Sequence, residues 1–175
     1  PKSTLFKLQF TAVTSPTTLQ NTGFETATDW TMTGSILTSD QKHGGTNSFY
    51  IGDGIDYQDA APWTIWWQGR VATFTCWVWA NTANRGRIGL DDGVVATTYS
   101  SYNTGVSAWE NLSVSLTLDS AATRIRCYIN NNGGTANCYF DDATLNNSSL
   151  YLHTPVLLNY QQKAVLYPDQ REIIA

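Results

Sequence analysis

The chain has 175 residues, a formal net charge of −4 and 42% apolar residues, room for one domain with a buried core. Ten basic residues against fourteen acidic ones, with no Lys/Arg run, exclude the concentrated basic surface that a nucleic-acid partner requires, and no apolar stretch of about 18 residues predicts a membrane span. Aromatic residues reach 13% while charged residues stop at 14%, and the rest is rich in Thr, Ser, Asn and Gly, a composition of strands and turns rather than helices.

Taken in order, residues 5–10 alternate, Leu5, Lys7 and Gln9 against Phe6, Leu8 and Phe10, which is strand-like. The segment TAVTSPTTLQ that follows reads as an extended linker. No charged region leads into an apolar one at the start, so no secretory signal is expected. Two readings of Pro1 stay open: an initiator Met removed ahead of a small Pro, and a fragment of a longer chain.

Residues 21–30, NTGFETATDW, predict a turn at 21–23, Phe24 as a core anchor, and Trp30 opening a strand that continues over 31–38. Residues 40–47, DQKHGGTN, form a turn in which Gly44 and Gly45 permit positive φ. A short strand over 48–52 follows. Residues 53–62 are expected to be a solvated acidic loop: Asp53, Asp56 and Asp59 recur every third position, without the Gly and closing Glu of an EF-hand loop.

The stretch PWTIWWQGR over 62–70 carries three Trp, and VATFTCWVWA over 71–80 is the clearest strand. Period-two alternation puts Phe74, Cys76 and Val78 on its core face and Thr75, Trp77 and Trp79 on the other. Strands are predicted over 85–90 and 94–100, joined by the turn signal D-D-G, then a loop over 102–108 and a strand over 109–118, WENLSVSLTL. In TRIRCYI, Ile125, Cys127 and Ile129 point inward and Arg124, Arg126 and Tyr128 outward, and NNNGGT over 130–135 is a hairpin tip.

The last strand is NCYFDDATL, 137–145. Alternation groups Cys138, Phe140 and Asp142 on one side and Tyr139, Asp141 and Ala143 on the other. Two carboxylates set in an apolar strand need partners, because a buried unpaired carboxylate is costly. Cys76, Cys127 and Cys138 are odd in number and lack C-x-x-C spacing, so buried thiols are expected in place of a zinc site. A Cys76–Cys127 bridge stays open, since only geometry decides it.

Eight to ten short strands at regular spacing predict an all-β sandwich or barrel. No amphipathic helix precedes residue 158, and Pro168 stops one after it. The expected organisation is an N-terminal arm over 1–18, a β-sandwich over 19–148 and a C-terminal arm over 149–175.

The order of five pieces then resembles a known family. Asn21, Gly23, Phe24, Glu25 and Trp30 match N-x-G-F-E with a following Trp. Gly45 and Ser48 match a G-x-x-S turn, Phe74, Trp77 and Val78 an F-x-x-W-V strand, and Trp109, Leu112 and Val114 a W-x-x-L-x-V strand. Tyr139, Phe140, Asp141, Asp142 and Leu145 close the pattern. Over about residues 19–147 this resembles the jelly-roll carbohydrate-binding modules attached to bacterial xylanases and glucanases. The resemblance implies a jelly-roll β-sandwich of two antiparallel sheets, and it does not extend to the two arms. It also implies a structural Ca²⁺ between the first and last strands, held by Glu25 and Asp141 or Asp142 with backbone oxygens near Asn21 and Gly45; Ca²⁺ takes six to eight oxygens.

The same resemblance implies glycan binding through Trp63, Trp66, Trp67, Trp77, Trp79, Tyr99 and Tyr102, although a sandwich uses large rings for packing and four or more of the seven are expected to serve its core. No G-x-S-x-G, P-loop or H-E-x-x-H motif is present, and turn or metal roles explain the Asp91/Asp92 and Asp141/Asp142 pairs better than catalysis does. The expectation is a non-catalytic structural or adhesion protein, a bacteriophage virion decoration or fibre-type component made in the bacterial cytoplasm. Its arms would anchor it to other chains of an assembly. The alternative is an extracellular glycan-binding module that takes polysaccharide on exposed rings.

Overall fold

The computed structural model describes residues 17–133 and 137–147; the strand-like run over 5–10 and the arms, apart from Thr17 and Thr18, lie outside them. Among the described residues there are nine strands and one short 3-10 turn, Ile65–Trp67, and no helix is long and apolar enough to cross a membrane. The strands are β1 Ser35–Thr38, β2 Ser48–Ile51, β3 Gly54–Asp59, β4 Val71–Ala80, β5 Gly86–Asp91, β6 Thr98–Tyr99, β7 Trp109–Thr117, β8 Arg126–Asn131 and β9 Cys138–Asn147.

They form two antiparallel sheets, ordered β1-β2-β9-β4-β7 and β3-β8-β5-β6. The fold is the all-β sandwich expected. Between the sheets lie Phe24, Phe49, Phe74 and Phe140, none with exposed surface, and burying each such ring contributes about 1.5–3 kcal/mol relative to leaving it in water. β4 shows the driving pattern: Ala72, Phe74, Cys76, Val78 and Ala80 are fully buried while the residues between them face outward. Cys76, Cys127 and Cys138 are buried and unbridged.

Two expectations are corrected. Residues 54–59 are not a solvated acidic loop but edge strand β3, paired with β8 from Gly54↔Asn131 to Asp59↔Arg126. Its inward residues Asp56 and Gln58 are polar and buried, so the alternation with Ile55 and Tyr57 runs with the polar set toward the core, the reverse of the usual signal. The chain preceding β1 supplies their partners. The Thr33 amide donates to Asp56 Oδ1 at 2.7 Å, and Gln58 Nε2 donates to the Asp29 carbonyl at 2.7 Å.

The second correction concerns phase in β9. Trp77 pairs with Asp141 and Thr75 with Thr144, so Asp142 and Ala143 together face Cys76, a β-bulge that re-aims the side chains beyond it. Asp142, at φ 45°, turns away from Cys138 and Phe140, with 41% of its side chain exposed. Ala143 and Leu145 join the core instead. Strict alternation could not foresee the switch.

The DDG turn after β5 is anchored by Asp92, fully buried. Its Oδ1 accepts the amides of Val94 at 2.9 Å and Val95 at 3.0 Å, and its Oδ2 that of Asp119 at 2.8 Å. Burial pushes this carboxyl up, but the amides of Asp119, Val95 and Val94 outweigh it and hold the group below the usual carboxylate range. Asp92→Asn cannot accept at both positions and should lose about 1–3 kcal/mol at neutral pH. A depressed folded pKa stabilises fully above the unfolded value of about 3.9 and ceases to as pH falls through the folded one. The wild-type advantage in urea unfolding should therefore shrink below about pH 4; a gap that stays constant into acid would reject the assignment.

Candidate functional site

The loop 21–25 and the turn 43–46 meet at the bulge of β9. Asn21 organises the first loop: its Oδ1 accepts the Glu25 amide at 2.9 Å, its Nδ2 donates to the Thr26 carbonyl at 2.6 Å, and its own carbonyl accepts the Phe24 amide at 3.1 Å. One residue on, the Thr22 carbonyl accepts the Ala143 amide at 2.7 Å, which joins the loop to the last strand.

Asp141, fully buried, holds the facing turn. Its Oδ2 accepts the amides of His43 at 2.7 Å and Gly44 at 3.0 Å, and its Oδ1 that of Asp142 at 2.7 Å. Burial raises this carboxyl above its ordinary value and the three amides only partly reverse the effect. Asp142 Oδ2 meets His43 Nδ1 at 2.7 Å, and the His43 ring stacks on Trp77 with centroids 4.0 Å apart. Glu25 accepts the Thr46 hydroxyl at 2.6 Å and the Thr46 amide at 2.9 Å, which together hold it below the usual carboxylate range.

Glu25 and Asp142 approach Gly44–Gly45 closely enough to forbid side chains there. A Cβ on Gly44 would stand 2.7 Å from Asp142 Oδ2, and one on Gly45, at φ +54°, 1.5 Å from Glu25 Oε1. Among the described residues no three acidic, His or Cys side chains converge as a metal-holding group. An ion here would rest on two carboxylates completed by backbone oxygens and water. That all-oxygen set fits a hard cation such as Ca²⁺ and no soft one. Asp141 lies behind the pair, both its oxygens engaged with amides.

The expected glycan-stacking rings scatter. Trp67 is buried, with Nε1 donating to Thr17 Oγ1 at 2.5 Å. Trp63 packs against the core. Trp66 is 37% exposed, with the Arg70 guanidinium 3.6 Å from its ring centroid. Trp77 and Trp79 face outward on the five-stranded sheet. There Ile36, Tyr50, Tyr139, Trp79 and Trp109 are successive partners in one row across all five strands, a stripe of one aliphatic and four aromatic side chains.

Tyr99 and Tyr102 stand on the opposite, four-stranded sheet, in company that the sequence did not single out. Tyr57, Tyr128, Gly89 and Tyr99 are successive partners across that sheet, all facing outward because Ile88, Leu90, Cys127 and Ile129 face the core. A Cβ on Gly89 would meet the Tyr99 ring at 2.8 Å, so glycine lets that ring lie against the sheet. Tyr57 and Tyr128 tilt together, centroids 5.8 Å apart. In the neighbouring row Arg87 lies 3.8 Å from the Tyr99 centroid and 4.9 Å from that of Tyr102, its Nε donating to Asn130 Oδ1 at 2.9 Å. Asn103 positions this corner: its Oδ1 accepts the amides of Arg85 and Gly86, and its Nδ2 donates to the Thr82 carbonyl. Outward direction on β8 was readable for Tyr128, but its meeting with Tyr57 and Arg87 depends on strand order and register.

No family model and no curated protein matches the sequence. Solved structures do share its fold. TmCBM61, in complex with β-1,4-galactotriose, is 17% identical, with a TM-score of 0.58 over 76% of this chain and 99% of its own. The C-terminal family 22 carbohydrate-binding module of Clostridium thermocellum Xyn10B is 19% identical, with a TM-score of 0.55 over 74% and 96%. The enzymatically active domain of bacteriophage CBA120 tailspike protein 4 is 13% identical, with a TM-score of 0.55 over 73% of this chain and 21% of its own. At these identities the likeness is one of fold. The nine-stranded sandwich of this chain is thus the jelly-roll fold of carbohydrate-binding modules, as its motif order implied.

Proposed function

We propose that the protein is a non-catalytic glycan-binding module whose ligand lies across the outward face of the four-stranded sheet. The observation that carries this reading is the row Tyr57–Tyr128–Tyr99, partly exposed and flanked by Arg87 and Asn130. Recognition of a sugar needs flat apolar surface for its C–H faces and a few fixed polar groups for its hydroxyls. The opposite face carries Trp79 and Trp109 with Asn111 beside Trp77, but there the His43 ring already stacks on Trp77. The fold neighbours support the reading, being carbohydrate-binding modules in several instances.

Isothermal titration against a panel of plant and bacterial oligosaccharides tests it. Tyr57→Ala and Tyr128→Ala should each weaken the best ligand about tenfold, or about 1.4 kcal/mol, while Trp79→Ala leaves it unchanged. Loss confined to Trp79→Ala would move the site to the other sheet.

Calcium belongs to the same reading as a structural ion at Glu25, Asp142 and the Gly44–Gly45 backbone. It would fasten the first loop to the last strand and take no part in sugar chemistry. Ligation of this kind stabilises by mass action, about 2.7 kcal/mol at a hundredfold excess over Kd, or roughly 5–10 °C in Tm for a chain of this size. Chelator should lower Tm by that amount and Glu25→Gln should remove the response; identical melting with and without chelator would reject the ion.

A second reading, an adhesion or decoration component of a virion, has one specific support: the fold shared with the CBA120 tailspike domain. It requires assembly with other chains through 1–18 and 149–175. Light scattering after size exclusion should then give an oligomer, and a monomer at micromolar concentration would count against it.

A further inference from the structure

Arg87, Arg124 and Arg126 stand on the outward side of the four-stranded sheet, and the last two are neutralised. Arg126 pairs with Asp59 through two bonds of 2.6 and 2.8 Å, and Arg124 with Asp91 at 2.7 Å. Arg87 has no carboxylate within ion-pair distance among the described residues. Its Nε is tied to Asn130 Oδ1 and its guanidinium carbon lies over the Tyr99 ring, with Tyr102 beside it. The two terminal nitrogens make no hydrogen bond among the described residues. Asn130 is itself fixed, its Nδ2 donating to the Gly54 carbonyl at 3.0 Å. The result is a cation immobilised before any ligand arrives, with the two-pronged edge of its fork unused.

On the reading of this face as a glycan site, we infer that the ligand is an acidic sugar whose carboxylate docks on Arg87. A neutral hydroxyl would satisfy one N–H and leave the charge unbalanced. A planar carboxylate accepts both prongs at once and balances the charge, and charge-assisted bonds are roughly twice as strong as neutral ones. Because Arg87 is already packed on Tyr99, less side-chain entropy is lost on binding than a free Arg would lose. Tyr128 lies diagonally across the strand pair, since Arg87 opposes Asn130 and Gly89 opposes Tyr128. Diagonal neighbours stand about 7–8 Å apart, so a uronate ring resting near Tyr128 brings its carboxylate toward the fork.

The test is titration calorimetry at low salt with oligogalacturonate and oligoglucuronate, the same oligosaccharides fully methyl-esterified, and sulfated galactan fragments. Esterification removes the charge and keeps the ring, so wild-type protein should bind the free acid at least tenfold more tightly than its ester. Arg87→Gln should erase that difference. Equal binding of acid and ester would overturn the carboxylate assignment and leave glycan binding standing. Sulfated fragments binding as tightly as the uronates would overturn it in favour of general anion attraction. Binding of no sugar by protein shown to be folded by circular dichroism would overturn both the assignment and the glycan reading beneath it.

Discussion

The interaction on which the architecture turns is the buried carboxylate of Asp141 receiving the amides of His43, Gly44 and Asp142. A charge placed where burial raises its pKa survives only with donors supplied at fixed positions, and here all three come from backbone. The turn between β1 and β2 is thereby drawn against the bulge of β9. The first loop is brought to the same place through Thr22 and Ala143. Chain segments about a hundred residues apart in sequence are closed on one another without a disulfide, by hydrogen bonds that water cannot easily replace.

That closure divides the surface into unlike halves. On the five-stranded sheet the turn 43–46 folds over the outer face, and His43 stacks on Trp77, so the largest rings there are partly covered by the protein itself. On the four-stranded sheet the tyrosines share the face with guanidinium groups, Arg126 lying 4.0 Å from the Tyr57 centroid and Arg87 3.8 Å from that of Tyr99. The difference is one of partners as much as of rings. On the five-stranded sheet the polar neighbour His43 lies on the Trp77 ring itself, whereas Tyr57, Tyr128 and Tyr99 stand in one row beside Arg87 and Asn130. A tyrosine also leaves less apolar surface in water than a tryptophan would, which suits a face that must stay soluble when empty.

Much of the fold was legible because its signals are local. The alternation in 71–80, the D-D-G turn, the inward Ile125, Cys127 and Ile129, and the ordered pieces from Asn21 to Leu145 all survive in the structure. The misreadings share a cause. Edge strand β3 carries Asp56 and Gln58 inward, and those residues look like loop until the chain before β1 is laid alongside to bond them. Asp142 looks like a core-facing residue until the extra residue of the bulge shifts the phase of β9. In each case the deciding partner lies more than twenty positions away along the chain.

The sequence by itself determined the class of fold, the inward faces of β4 and β8, and the acidic residues that flank the first and last segments, since each follows from side-chain period or turn chemistry within about ten residues. Only the tertiary structure decided which aromatic groups stand together. Strand order places Tyr57 beside Tyr128 and Tyr128 across from Gly89, and register sets Arg87 against Asn130. Those adjacencies arise from hydrogen-bonded pairing between strands remote in sequence, and no periodicity within a single strand encodes them.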